Sequence, residues 1–264
     1  MEMNLMEERT AVMNIEDMEC SFTSVLMGYG PLVVSLVNSF LSLVIDNYMH
    51  YQMIADVKTG EDESTVREFS RTSREHFGEE FTAINRLQKV PVIDHNGFIL
   101  TESVAILKYL SRENLIPDTL YPTESKQRAR VDEFLEWHHA GLRLHCAMFF
   151  RVKFLIPSIV GKPEEPKNLE GYRRRMEAAL TEFNTKWLGR GNDFLVGNTP
   201  TVADLFAACE VEQPKMAGYD PCVNFENINV WLKKVREHFN PHYDEAHTVL
   251  NNVGKKKSKV ASKV

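Results

Sequence analysis

Lys89-Val90-Pro91-Val92-Ile93-Asp94-His95-Asn96-Gly97-Phe98-Ile99-Leu100, followed at once by Thr101-Glu102-Ser103-Val104-Ala105-Ile106-Leu107, is the stretch that decides the fold. Val90, Val92 and Ile93 make a β-rich run, Asp94 to Gly97 supply a turn, and Phe98 to Leu100 return, so the first part reads as a β-hairpin. Thr101, Glu102 and Ser103 are good helix-start residues, and Val104, Ile106, Leu107 and Leu110 give the helix that follows its apolar face. Pro91 stands at the start of a strand, where it cannot donate to a ladder; such a proline is often held cis at a tight approach.

Towards the C-terminus, residues 114–125 carry Pro117 and Pro122 and read as a linker. Beyond it the pattern is entirely helical. Lys126 to Ile156 reads as one long helix stopped at Pro157, and Tyr172, Met176, Ala179, Leu180, Phe183 and Trp187 place a second apolar stripe at helical spacing. A third helix begins at Thr201, with Asp204 three residues on as an acidic variant of the capping box. Its run Leu205 to Cys209 is apolar nearly all round, so this helix is expected at the centre. Trp231, Leu232 and Val235 mark a further helix, and Tyr243 to Leu250 a last short one.

Towards the N-terminus, residues 64–85 are mostly polar and charged, with Phe77, Phe81 and Ile84 at helical spacing, which predicts a loop and then an exposed helix. The uncharged stretch Cys20 to Ile45 approaches bilayer length. A spanning helix needs about 20 predominantly apolar residues, whereas this stretch contains Ser21, Thr23, Ser24, Ser35, Asn38, Ser39 and Ser42, with Gly28, Gly30 and Pro31 in its first half. Glu7, Glu8, Glu16, Asp17 and Glu19 precede it where a secretory signal would be basic. It reads as a buried strand and helix.

The outline is therefore α+β: an acidic extension (1–20), a small domain with strands (21–113), a linker (114–125), an all-helical domain (126–250) and a basic disordered tail (251–264). The tail has five lysines among small residues. A net charge of -6 over 264 residues, with no basic stripe, argues against a general nucleic-acid binder. Cys20, Cys146, Cys209 and Cys222 form no CxxC pair, which points to free thiols in a reducing, cytoplasmic setting. His138, His139 and His145 lack metal-ligand spacing, and no metal is expected.

A cleft between the two domains is the natural ligand site. The Val90-Pro91 turn exposes backbone groups free to pair with an extended peptide. The helix start at Thr101 to Ser103 offers unpaired N–H groups and the positive end of the helix dipole to a carboxylate, while Glu102 can pair with an ammonium group. Together they suit a ligand carrying both charges; the plainer alternative is that Thr101 and Glu102 merely cap the helix. Met148, Phe149 and Phe150 either line an apolar side of the cleft or belong to the core.

Lys89 to Ile93, Asn96 to Phe98 and Thr101 to Leu107 resemble the glutathione-binding half of the thioredoxin-like domain of theta-class glutathione transferases. Ala129 to His138, Cys146 to Lys153, Gly218 to Pro221 and Asn240 to His247 resemble the helical domain of insect-like members, and the likeness runs from about residue 75 to 250. The resemblance implies a thioredoxin-like domain followed by an all-α domain and conjugation of the glutathione thiol to small hydrophobic electrophiles. It also implies a homodimer; the make-up of Cys20 to Ile45 speaks against a membrane partner. It implies that His76 and Lys89 face the glycine end of glutathione and that Val90 pairs with its cysteinyl backbone. Glu102 and Ser103 would hold the γ-glutamate, and Arg143 would stand at the rim of the site.

One departure bears on catalysis. A free cysteine thiol titrates near ~8.5 and must be activated to react at neutral pH. The theta class uses a serine hydroxyl in a short Ser-Gln-Pro-Ser-Arg segment, which is not found in this sequence. Two alignments put Gly28 or Asn47 at that position, and neither has a hydroxyl; Ser24, Ser35, Tyr29 and Tyr48 stand nearby. A glutathione- or ligand-binding protein without turnover is the alternative function.

Overall fold

A computed structural model describes residues 51–57, 65–70, 78–89, 91–247 and 250, the strands at 51–57 and 65–70 by their backbone. The first half is a sheet of β1 (Tyr51–Val57), β2 (Thr65–Ser70), β3 (Val92–His95) and β4 (Phe98–Thr101) in the order β2-β1-β3-β4. β1 and β2 pair antiparallel, with Tyr51 opposite Ser70. β3 returns parallel to β1, with Ile54 opposite Val92, after the chain has passed through β2 and the short helix α1 (Glu79–Ile84). The strand order is that of a thioredoxin-like half, with its first two strands antiparallel instead of parallel.

Two expectations for this half need correction. Thr65–Ser70 is a strand, not a loop: backbone pairing with β1 outweighs its charged composition. The helix carrying Phe81 is not simply exposed, because Phe81 is fully buried beside Val92. The expected extension, the strand and helix at Cys20 to Ile45, the Val90-Pro91 bond and the tail lie outside the described residues.

The β3–β4 hairpin forms as its sequence predicts. Asn96 and Gly97 both have positive φ, 54° and 86°, as a two-residue turn matched to strand twist requires. Asp94 Oδ1 accepts the Gly97 N–H at 2.7 Å and fastens the turn. The strands themselves are Val92–His95 and Phe98–Thr101, so the turn is narrower than Asp94 to Gly97.

Helix α2 (Ser103–Arg112) buries Ile106, Leu107 and Leu110 against β3 and the helical half in one continuous core. The linker is pinned by Arg128, whose guanidinium donates to the carbonyls of Tyr121 and Pro122 and to Ser111 Oγ while lying 4.6 Å from the Tyr121 ring. Lys108 on α2 reaches Asp132 (3.2 Å) and Glu136 (3.5 Å), which docks the two halves.

Helix α3 spans 125–160. It consists of Ser125–His138, a π turn His139–Arg143, Leu144–Phe150, a second π turn Arg151–Leu155, and Ile156–Val160. Glu124 starts it by accepting the N–H groups of Lys126 and Gln127. The helix does not stop at Pro157. A proline lacks the N–H and crowds the carbonyl four residues back, and the wide turn just before it gives that ring room, so the helix ends at Val160 with Gly161 left-handed at its cap.

Helix α4 covers 166–190, as Pro166–Glu182, the π turn Phe183–Trp187 and a 3-10 turn Leu188–Arg190. Its Met176, Ala179, Leu180, Phe183 and Trp187 are buried. Helix α5 (Val202–Met216) is the central one, with every residue from Thr201 to Pro214 buried. Helices α6 (Pro221–Asn224), α7 (Glu226–Phe239) and α8 (His242–Ala246) complete the half, and the Asn240-Pro241 bond between α7 and α8 is cis.

Candidate functional site

The head of α2 follows directly on the β3–β4 hairpin. Thr101 ends β4 and Glu102 stands at the N-cap. The Glu102 side chain accepts no hydrogen bond from the helix, and the first intrahelical bond runs from Ile106 N–H to Glu102 O at 2.9 Å. The capping alternative therefore does not describe this helix: the N–H groups of its first turn are left for a ligand or water. An uncapped helix start favours an anion through both its donors and its dipole.

Glu102 has φ 71° and ψ 114°, a backbone state that a residue with a Cβ rarely adopts. The consequence is geometric. The tight passage from strand to helix turns the Glu102 side chain to solvent, where it is exposed, while Ser103 is 5% exposed and sits on the core side of the first turn. The two neighbours thus serve different sides of one position.

Lys89 lies at the end of a short, tightly bonded loop. Asn85, 4% exposed, donates from Nδ2 to the Lys89 carbonyl and accepts the Leu87 N–H at 2.9 Å. Gln88, in left-handed conformation, donates to Thr82 Oγ1 at 3.1 Å. The Lys89 backbone is thereby fixed just before β3 while its side chain is exposed. His76 and Val90 lie outside the described residues, as do Ser24, Gly28, Tyr29, Ser35, Asn47 and Tyr48.

From the helical half, the π turn of α3 supplies His139 and Arg143. Burial pushes the His139 imidazole pKa down, the neighbouring His138 and Arg143 charges reinforce this, and the Glu136 and Glu102 carboxylates oppose it. Arg143 is partly exposed, and its Nε lies 3.4 Å from Glu210 Oε1 on α5. The sequence offers no direct sign of Glu210. It lies one residue past a run apolar all round, and a carboxylate in that position is the available signal, because a charge on a buried helix needs a partner.

Phe149 and Phe150 are buried in the shared core, Phe149 against Tyr219 (6.0 Å, edge to face) and Phe150 against Phe154. Their reading as cleft-lining residues gives way to the core reading; Met148 is half-buried. A shallow groove of about 440 Å³ lined by Lys126, Gln127, Ala129, Arg130 and Val196 opens at the start of α3 and includes none of the candidate residues. Among the described residues no group of three or more His, Cys, Asp and Glu could hold a metal ion, and no helix is long and apolar enough to cross a membrane.

Comparisons with known proteins match both halves of the chain. Residues 60–112 match the glutathione S-transferase N-terminal domain and residues 146–238 the C-terminal domain. Glutathione S-transferase theta-1 of Bos taurus is 36% identical over 177 residues, 67% of this chain and 73% of that protein. The theta-1 protein of Gallus gallus is 34% identical over 171 residues, 64% of this chain, and the match spans 65% of that relative's length. Among solved structures, human glutathione S-transferase T1-1 in its apo form superposes with a TM-score of 0.67 at 28% identity, covering 84% of this chain and 87% of that one. A human theta-class transferase in complex with the glutathione conjugate of 1-menaphthyl sulfate gives 0.64 at 34% identity, over 71% and 77%. With both domain families matched in order and theta-class relatives at this identity, the chain belongs to the glutathione S-transferase family.

Proposed function

We propose that the protein is a theta-type glutathione transferase that joins the glutathione sulfur to small, mostly apolar electrophiles, a detoxification chemistry. The uncapped start of α2 beside the exposed Glu102 carboxylate is the observation that carries this reading. It provides donors for the γ-glutamyl carboxylate and a partner for its ammonium group, so a zwitterionic end is matched at one point. The Ser103 backbone N–H, one of the donors of the first turn, holds the same end, and Lys89 with His76 takes the glycine carboxylate. Val90, ahead of Pro91, pairs with the cysteinyl backbone. Residues 21–113 form the glutathione-binding unit and 126–250 the helical partner, with 1–20 an extension, 114–125 the linker and 251–264 a solvated basic tail.

In the reaction the thiolate attacks an electrophilic carbon, a C–S bond forms, and the carbon's bond to the leaving group breaks, the leaving group departing with the bonding pair. The rate gain comes from holding the two reactants together and from stabilising the thiolate. Arg143 stands at the rim, where its positive charge meets the negative charge of the sulfur and the leaving group. We further propose a cytoplasmic homodimer that needs no metal, nucleic acid or membrane partner.

The test is glutathione-dependent release of halide from a benzyl or alkyl halide by the full chain. Turnover that saturates in glutathione is the expected result. Retention on immobilised glutathione without turnover would make the protein a ligand binder on the same fold.

A further inference from the structure

Glu210 is a carboxylate on the central helix, 2% exposed and surrounded by the apolar packing of α5. Removing a carboxylate from water is costly unless it is paired, so its position calls for a partner. Oε1 meets two groups, both from α3: Arg143 Nε at 3.4 Å and His138 Nε2 at 3.6 Å. His138 is fully buried, between Phe134 and the edge of Phe206, and neither of its ring nitrogens has a hydrogen-bond partner among the described residues.

The π turn makes this meeting possible. His138 and Arg143 are five residues apart, and at 3.6 residues per turn they would point about 140° away from each other. The His139–Arg143 turn is wound i to i+5, which brings the two onto one face, towards Glu210. Gly141 in that turn is required by contact: a Cβ there would stand 2.7 Å from Trp137 Cε2. Arg143 pairs through Nε, and its side chain is 31% exposed.

We infer that Glu210 is a positioning residue that holds the Arg143 guanidinium, through the π turn, at the place where negative charge develops on the sulfur and the leaving group. An untethered arginine would lose rotamer freedom each time it met that charge; one anchored at Nε has already lost it. Preorganised charge of this kind acts on the transition state more than on ground-state binding. Cys146 and Cys209 lie within reach of the Glu210 charge, and burial, with that charge adding, pushes both thiols well up. They stay protonated and do not compete for Arg143.

This inference rests on the reading of Arg143 as a residue of the site, and the experiment separates the two. Steady-state kinetics with glutathione and a benzyl halide are compared for the wild type, Arg143→Ala, Glu210→Gln and the double variant, with thermal melting of each. The expected result is a fall of about tenfold or more in kcat for Arg143→Ala with glutathione KM within about twofold, as for loss of an interaction made in the transition state. Glu210→Gln falls to within about threefold of the same level, and the double variant is no slower than Arg143→Ala alone. If Arg143→Ala retains wild-type kcat, the reading of Arg143 fails. If it is slow but Glu210→Gln retains wild-type kcat, or if the two losses multiply, the positioning role alone is overturned. A loss confined to glutathione KM overturns it as well. Should Glu210→Gln not fold, Glu210→Asp keeps the charge one methylene further back; it is expected to lower kcat at least threefold with an unchanged melting temperature, and wild-type kcat would contradict the inference.

Discussion

The Trp231 indole Nε1 on α7 donates to Asp204 Oδ1 on α5 at 2.9 Å, and the same oxygen accepts the Leu195 N–H at 2.9 Å. The other oxygen takes the Thr201 N–H (2.9 Å) and hydroxyl (3.2 Å), which closes the capping box. Burial pushes the Asp204 pKa up, against the pull of its four donors. One fully buried carboxylate therefore joins the start of the central helix, the turn before it and the next helix.

Replacing Asp204 with Ala leaves all four donors short of a partner. Each buried unmet group costs about 1–3 kcal/mol, so the loss is expected to reach about 3 kcal/mol or more, and Asp204→Asn, which keeps an acceptor, to cost less. Urea unfolding of the three proteins checks the order. Equal midpoints for Asp204→Ala and wild type would contradict it.

The legibility of this architecture in the sequence was uneven, for physical reasons. The capping box and the Asn96-Gly97 turn could be read because each is a local requirement met by its own residues, an acceptor three places on and two positive φ angles. β2 could not be read, since Thr65–Ser70 contains Arg67 and Glu68 and becomes a strand through pairing with β1. The π turns of α3 were equally hidden. A period of 3.6 fitted to 126–156 places His138 and Arg143 on different faces, and the real helix brings them together at Glu210. At the head of α2 the residue types were legible, but the positive φ of Glu102 and the absence of a side-chain cap were not, because both depend on how β4 delivers the chain.

Glu102 carries a positive φ, which glycine adopts at lower cost than a residue with a Cβ. Glu102→Gly is expected to be as stable as wild type or slightly more so, while Glu102→Ala keeps the strain, so the glycine variant should unfold later by about 1 kcal/mol. Both should bind glutathione more weakly. Paired urea melts with glutathione titrations read the two effects separately, and an alanine variant more stable than the glycine one would contradict the strain.

Arg128 fastens the linker with one side chain. Hydrogen bonds to a charged group are worth about 1.5–3 kcal/mol, so Arg128→Ala should lower stability by about 2 kcal/mol and make the 114–124 segment more sensitive to protease. Limited proteolysis followed by mass spectrometry locates the cut. A wild-type digestion pattern would contradict the stapling role.

His247 is stacked on Tyr243 at 4.1 Å, with Nδ1 2.6 Å from the Tyr243 carbonyl. Burial pushes its pKa down; the Glu212 charge and the Tyr243 carbonyl oppose this, Lys215 adds to it, and Asp244 opposes it. The unfolded chain then binds the proton more readily than the folded one. The stability contributed is complete above the unfolded value of about 6.5 and is lost as pH falls below it, at no more than about 1.4 kcal/mol per pH unit. Unfolding midpoints at pH 8, 6.5 and 5.5 should show a flatter acid limb for His247→Gln than for wild type; parallel limbs would contradict the assignment.

Everything functional depends on glutathione's γ-glutamyl end meeting the start of α2, and calorimetric titration of glutathione into wild type and Glu102→Gln measures that meeting directly. Loss of a charge-assisted bond to the ammonium group predicts a Kd about tenfold or more higher for the variant. An unchanged Kd, in a variant that melts as wild type does, would contradict the account.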